Sequence, residues 1–235
     1  MRRASGFSLV ELMVGSTVGL LVLAGAVQLY SINVKASSEN LRQARLSHDT
    51  RAMLAVMQRE LMRSGYWAFD PQSTDPHDNP FTQQTEYLQI GADADQPDSS
   101  CILYSYDLNG DGLLGVGSSG VNTATTSIDN VEQFGIRLNT QRLQMRVNGE
   151  DYRCETGNWQ TLNEETVIVN ALSFEPETVC LHATKPDTAC EAGQPAWLHS
   201  RIKITLVTSL ADDADFQQTQ TLTVDARNDQ WVATW

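Results

Sequence analysis

Gly6-Phe7-Ser8-Leu9-Val10-Glu11-Leu12 opens an apolar run that extends to about Tyr30. Its reading decides what the remaining chain can be. A short basic leader containing Arg2 and Arg3 ends at Gly6, and the segment that follows carries one acid, Glu11. A carboxylate inside a bilayer-length segment costs roughly 2.5–3.5 kcal/mol on insertion scales, so it needs a job and a partner. Phe7 to Tyr30 is 24 residues, about 36 Å of helix at 1.5 Å per residue, which is enough to span a membrane. The basic start places the N-terminus in the cytoplasm by the positive-inside rule. The chain beyond the span is then expected on the far side.

Two plainer readings compete. An ordinary secretory signal peptide also begins basic, and Ala24-Gly25-Ala26 is a passable cleavage site. Glu11 sits badly in the apolar core of such a signal. An uncleaved membrane anchor is the other.

Without the anchor, about 200 of the 235 residues remain, enough for one sizeable domain with a real core. The net charge is −13. Loss of Arg2 and Arg3 would leave 14 basic against 29 acidic side chains, or −15. Such acidity argues against nucleic acid as a direct partner, because phosphate binding needs clustered Lys and Arg. Cys101, Cys154, Cys180 and Cys190 all follow the span, and an even number in an oxidising compartment reads as two disulfides. Three pairings are open. We expect Cys101 with Cys154, and Cys180 with Cys190, the latter closing a short proline-containing loop. No C-x-x-C pair is present, which argues against zinc.

From Phe7 to about Ser64 there is neither proline nor a strong turn cluster, so one long helix is expected. Gly15 and Gly19 give the G-x-x-x-G spacing that permits close helix approach in a membrane, or simply reflect glycine usage there. Leu46, Met53, Met57 and Leu61 form an apolar stripe near a helical period. Arg42, Arg45, Asp49, Arg59 and Arg63 lie largely off it. The stripe should pack on a sheet, and Gly65 is a natural stop. Asp70 to Asn79 reads as a loop, as does the Thr- and Ser-rich stretch Val121 to Asp129. Expected strands are Glu86 to Ile90, Ile102 to Tyr106, Gln133 to Leu138, Leu143 to Val147, Glu150 to Cys154, Val167 to Phe174, His199 to Thr208 and Gln220 to Ala226. Asn148-Gly149 is a strong two-residue hairpin turn, and Ala211 to Asp215 reads as a hairpin tip. One helix followed by many antiparallel strands gives an α+β fold.

The stretch Gly6 to Leu12 resembles the processing site of type IV prepilins and of the related pseudopilins. The resemblance implies a pilin fold: a long helix whose lower half packs on an antiparallel sheet. It also implies cutting by prepilin peptidase between Gly6 and Phe7, and methylation of the new amine on Phe7. Glu11 would pair with the amine of a neighbouring subunit and set the register of a filament. The expected organisation is a leader over 1–6, a membrane and filament-core helix over 7–30, an amphipathic half over 31–65 and a periplasmic β-rich domain over 66–235.

Gln28-Leu29-Tyr30 and Arg59-Glu60-Leu61-Met62-Arg63-Ser64-Gly65-Tyr66-Trp67 resemble the PilW family of minor pilins. Cys101 ahead of the Tyr104 to Gly112 stretch, Cys154 followed by Trp159, and Ala226-Arg227-Asn228 also fit it. That likeness implies a subunit that primes pilus assembly with other minor pilins and ends at or near the tip. Its partners would be the major pilin, prepilin peptidase and the inner-membrane assembly platform, and twitching motility is one process such pili serve. It would sit in the inner membrane as a single-pass protein before reaching the pilus and cell surface. A minor pseudopilin of a type II secretion system is the alternative. A membrane-anchored, calcium-dependent adhesive domain that never polymerises is another.

Asp107, Asn109 and Asp111, with Gly112, match the start of an EF-hand calcium loop, with oxygens at alternating positions and a glycine for the sharp turn. Position 9 would be Gly115 and position 12 Ser118 rather than a bidentate glutamate, and strands flank the loop. Calcium therefore needs ligands from elsewhere, and a metal-free Asn-Gly/Asp-Gly turn explains the same residues. Nothing points to an enzyme. His48, His77, His182 and His199 form no H-E-x-x-H pair, and there is no G-x-S-x-G elbow. His48 is expected to be solvated, and Trp231 and Trp235 to be buried.

Overall fold

The computed structural model describes residue 6 and residues 8–68, 75–83, 88–112, 114, 132–148, 152–184 and 188–235. The helix α1 runs over Leu9–Arg63. The chain forms two compact units, Met1–Arg45 and Leu46–Trp235.

In the first unit the helix passes Gly25 and Gln28 without a break. Its apolar side chains are exposed, Leu9 and Leu21 each by 74%. The helix is long and apolar enough to cross a membrane.

In the second unit the expected stripe faces inward: Leu46, Met53, Met57 and Leu61 are all buried, joined by Leu54. They pack with Ile102, Tyr104, Ile136, Leu138, Phe174, Ile202, Ile204 and Leu206 from the strands. Each such side chain withdrawn from water contributes about 1.5–3 kcal/mol. Thr50, also on this face, accepts or donates across to Thr208 at 2.7 Å. The helix stops where Gly65 turns left-handed at φ +71°, a conformation costly with a Cβ. The Gly65 amide then donates to the Ser105 carbonyl at 2.7 Å, so the chain leaves the helix directly onto a strand. Near this exit Tyr106 Oη donates to the buried Glu60 carboxylate at 3.1 Å, and the Arg63 guanidinium lies 4.2 Å over the Tyr106 ring.

The strands form two antiparallel sheets rather than one. The first is a meander of β1 (Gln89–Gly91), β2 (Cys101–Ser105), β3 (Gln133–Asn139), β4 (Arg142–Asn148) and β5 (Asn158–Thr161), in that order. β2 is buried on both faces. Ile102 and Tyr104 enter the helix-lined core. Cys101 and Leu103 face a second cluster with Tyr152, Cys154 and Trp159. This explains why the expected strand Glu150 to Cys154 does not form at its described residues, 152–154. Cys154 is bonded to Cys101, its carbonyl accepts from Arg137 Nη1 at 2.6 Å, and Arg137 also pairs with the buried Asp93 at 3.1 Å. The segment thus crosses the sheet's back, and the fifth strand forms only at Asn158–Thr161. Gly149, half of the expected hairpin turn, lies outside the described residues.

The second sheet orders β6 (Val167–His182), β7 (Ala196–Leu210) and β8 (Asp213–Asp225), with β9 (Gln230–Val232) also on β7. β6 does not end at Phe174; it continues through Pro176. It is an edge strand, where a residue without an N–H is tolerated. The second disulfide joins Cys180 near its end to Cys190 in the following connection. The tip between β7 and β8 is Ala211 and Asp212 alone; Asp213 to Asp215, expected in the tip, already belong to β8, with Asp213 opposite Leu210. Trp231 is half-buried, its ring packed at a tilt against Trp197 and His77. Trp235, expected in the interior, is 50% exposed, because it extends past the last strand.

Candidate functional site

Gly6 is exposed, and a Cβ there would meet nothing within 4 Å. Phe7 lies outside the described residues. Ser8 precedes the first helical residue, and its amide donates to Glu11 Oε2 at 3.1 Å. Ser8-Leu9-Val10-Glu11 thus makes one half of a capping box, with the acid at the positive end of the helix dipole. A carboxylate has about four lone-pair sites, so Glu11 keeps acceptor capacity for a donor from outside the chain.

The second site is built by strand register. β2 and β3 pair with Ser105 opposite Gln133, and the Tyr106 amide donates to the Glu132 carbonyl at 3.3 Å. The residue just past β2 and the residue just before β3 therefore meet. Asp107 holds the loop: Oδ1 accepts from the Gly110 amide at 2.6 Å, and Oδ2 accepts from the Gly112 and Ala68 amides, each at 3.1 Å. Trp67 Nε1 donates to the Gly112 carbonyl at 3.1 Å. Gly112 has φ +77°, and a Cβ there would press on Trp67 Nε1 at 3.1 Å. The loop is thus tied to the segment that leaves α1.

Of the three expected ligands, Asp107 and Asp111 come together. Asn109 turns inward on the loop, its Oδ1 accepting from the Asp111 amide at 2.9 Å and its Nδ2 donating to Asp111 Oδ2 at 2.8 Å. Gly115 and Ser118 lie outside the described residues. The third carboxylate is Glu132, which the sequence reading passed over. Asp107, Asp111 and Glu132 bring one oxygen each within 4.8 Å of one another. Glu132 is fully buried. Its Oε1 accepts from the Leu108 amide at 3.0 Å, while Oε2 has no hydrogen-bond partner among the described residues. Burial pushes this carboxyl up to about 7; the Leu108 and Asn109 amides oppose the rise, and the Asp107 and Asp111 charges add to it.

The histidines stand apart from this cluster. His48 is solvated as expected, its side chain 82% exposed. His77 packs on Trp231 with ring centroids 4.1 Å apart. His199 lies between Asp229, 2.8 Å from Nδ1, and Asp225, 3.2 Å from Nε2.

A family described as "Prepilin peptidase-dependent protein B" matches residues 39–226. One described as "Prokaryotic N-terminal methylation motif" matches residues 1–27. An uncharacterized protein of Haemophilus influenzae is 26% identical over 115 residues, 46% of this chain and 48% of that one. The chain thus spans about half the length of that relative. No solved structure matches.

Proposed function

The chain belongs to the prepilin peptidase-dependent protein B family and is type IV pilin-like, and on that premise we propose that it is a minor type IV pilin. It primes pilus assembly with other minor pilins and is incorporated at or near the tip, as its likeness to the PilW family suggests. Residues 1–6 are the leader. Prepilin peptidase cuts between Gly6 and Phe7, and Phe7 becomes the methylated N-terminus. Residues 7–30 hold the subunit in the inner membrane, with residues 66–235 in the periplasm. Glu11 pairs with the N-terminal amine of a neighbouring subunit, which neutralises a charge otherwise costly in an apolar filament core.

The observation that carries this reading is the methylation motif heading a membrane-length apolar helix whose first-turn acid keeps free acceptor capacity. Glu11→Gln tests it, because the amide oxygen preserves the capping contact to Ser8 while removing the charge. Tagged wild type and variant are compared in membranes and in sheared pili. The expected result is normal membrane levels with at least a tenfold drop in pili. Incorporation of the variant at the wild-type level would refute the role of the Glu11 charge.

A further inference from the structure

We propose that Asp107, Asp111 and Glu132 bind one calcium ion, which fastens the loop after β2 to the start of β3 and, through that loop, to the segment leaving α1. Two independent observations meet here. The loop residues carry oxygens at alternating positions around tight glycine turns. Separately, Glu132 arrives from the start of β3, wholly buried, with one carboxylate oxygen within 4.8 Å of those of Asp107 and Asp111 and with Oε2 lacking a donor among the described residues.

A buried, unpaired carboxylate oxygen is costly, and three carboxylates gathered together repel. A divalent cation removes both penalties at once. The donors are all oxygen, which selects a hard cation over zinc or copper. The three carboxylates come from two separate strand ends, an irregular set that suits calcium's flexible coordination better than the strict octahedron of magnesium. Asp107 Oδ1 accepts from one amide and so keeps a second lone pair for the ion, while the two amides on Oδ2 fix the carboxylate in place before the ion arrives. Water and backbone carbonyls complete the shell. Glu132 thus takes the part that the linear loop lacks at Ser118.

The ion would order a junction rather than a surface. Asp107 grips the Ala68 amide, and Gly112 grips Trp67. Calcium therefore strengthens the point where the long helix hands over to the first sheet.

The test uses the full chain in detergent, with melting followed by tryptophan fluorescence in EDTA, in calcium and in magnesium, each cation titrated to about 10 mM to cover weak extracellular-type sites. Calcium is expected to raise the melting temperature by several degrees over EDTA, and magnesium to raise it far less. Glu132→Gln should abolish the calcium shift. In EDTA that variant should melt at or above wild type, since it removes an uncompensated charge. Asp111→Asn, at an exposed position, keeps the fold and should weaken calcium binding at least tenfold in equilibrium dialysis. A wild type that melts alike in EDTA and calcium would overturn the proposal, as would a Glu132→Gln protein that keeps the full calcium shift.

Discussion

His199 lies between two carboxylates, and its proton affinity rises on folding, chiefly through the hydrogen bond to Asp229 and then that to Asp225, with burial opposing. A histidine that binds its proton more tightly when folded adds stability below its unfolded pKa of about 6.5. That contribution fades as pH rises through the higher folded value. The melting temperature of wild type should therefore exceed that of His199→Gln most at pH 6, with the gap narrowing by pH 9. A gap constant across that range would contradict the assignment. The same scale shows what a linear sequence hides. Asp107, Asn109 and Asp111 were legible because three oxygens recur within five residues. Glu132 was not, because only the pairing of Ser105 with Gln133 brings it beside Asp107, and that register is a property of the sheet.

Among the elements, α1 was the most legible. Its stripe, its lack of proline and Gly65 all act locally, and the helix ends at Arg63 with Gly65 left-handed. The strands were legible in their middles and wrong at their ends. The expected strand stops at Phe174, yet β6 runs on through Pro176 to His182, because an edge strand needs no donor on its free side. Cys154 reads as strand, yet its bond to Cys101 and the grip of Arg137 pull it across the sheet. The turn between β3 and β4 was missed for the opposite reason. Thr140 and Gln141 adopt φ +45° and +62°, the left-handed pair of a tight hairpin turn, without the Asn-Gly that marks one in sequence. Left-handed backbone costs an ordinary residue about 1–2 kcal/mol. Thr140→Asn with Gln141→Gly should therefore stabilise the chain by about 1–2 kcal/mol, read as a higher melting temperature. An unchanged or lower value would show that tertiary contacts, such as the Val169 amide on the Gln141 carbonyl at 2.9 Å, demand the native residues.

For the whole molecule, the α+β class followed from one long helix and many short strands, but the division into two sheets did not. Both sheets supply apolar residues to the same helix-lined core, so the apolar pattern of each strand is the same whichever sheet it joins. The methylation motif over residues 1–27 and the apolar helix it heads mark the chain as type IV pilin-like. The proposed pilus subunit carries an exposed apolar helix in one unit and a disulfide-stapled β domain in the other. Priming by such a subunit makes a demand on the cell as a whole. Surface pili sheared from a clean deletion strain and from the same strain carrying the gene again, quantified against wild type, give the most direct measurement. The account predicts that pili are lost or reduced at least tenfold in the deletion and restored by the gene. Pili at wild-type levels in the deletion would contradict it.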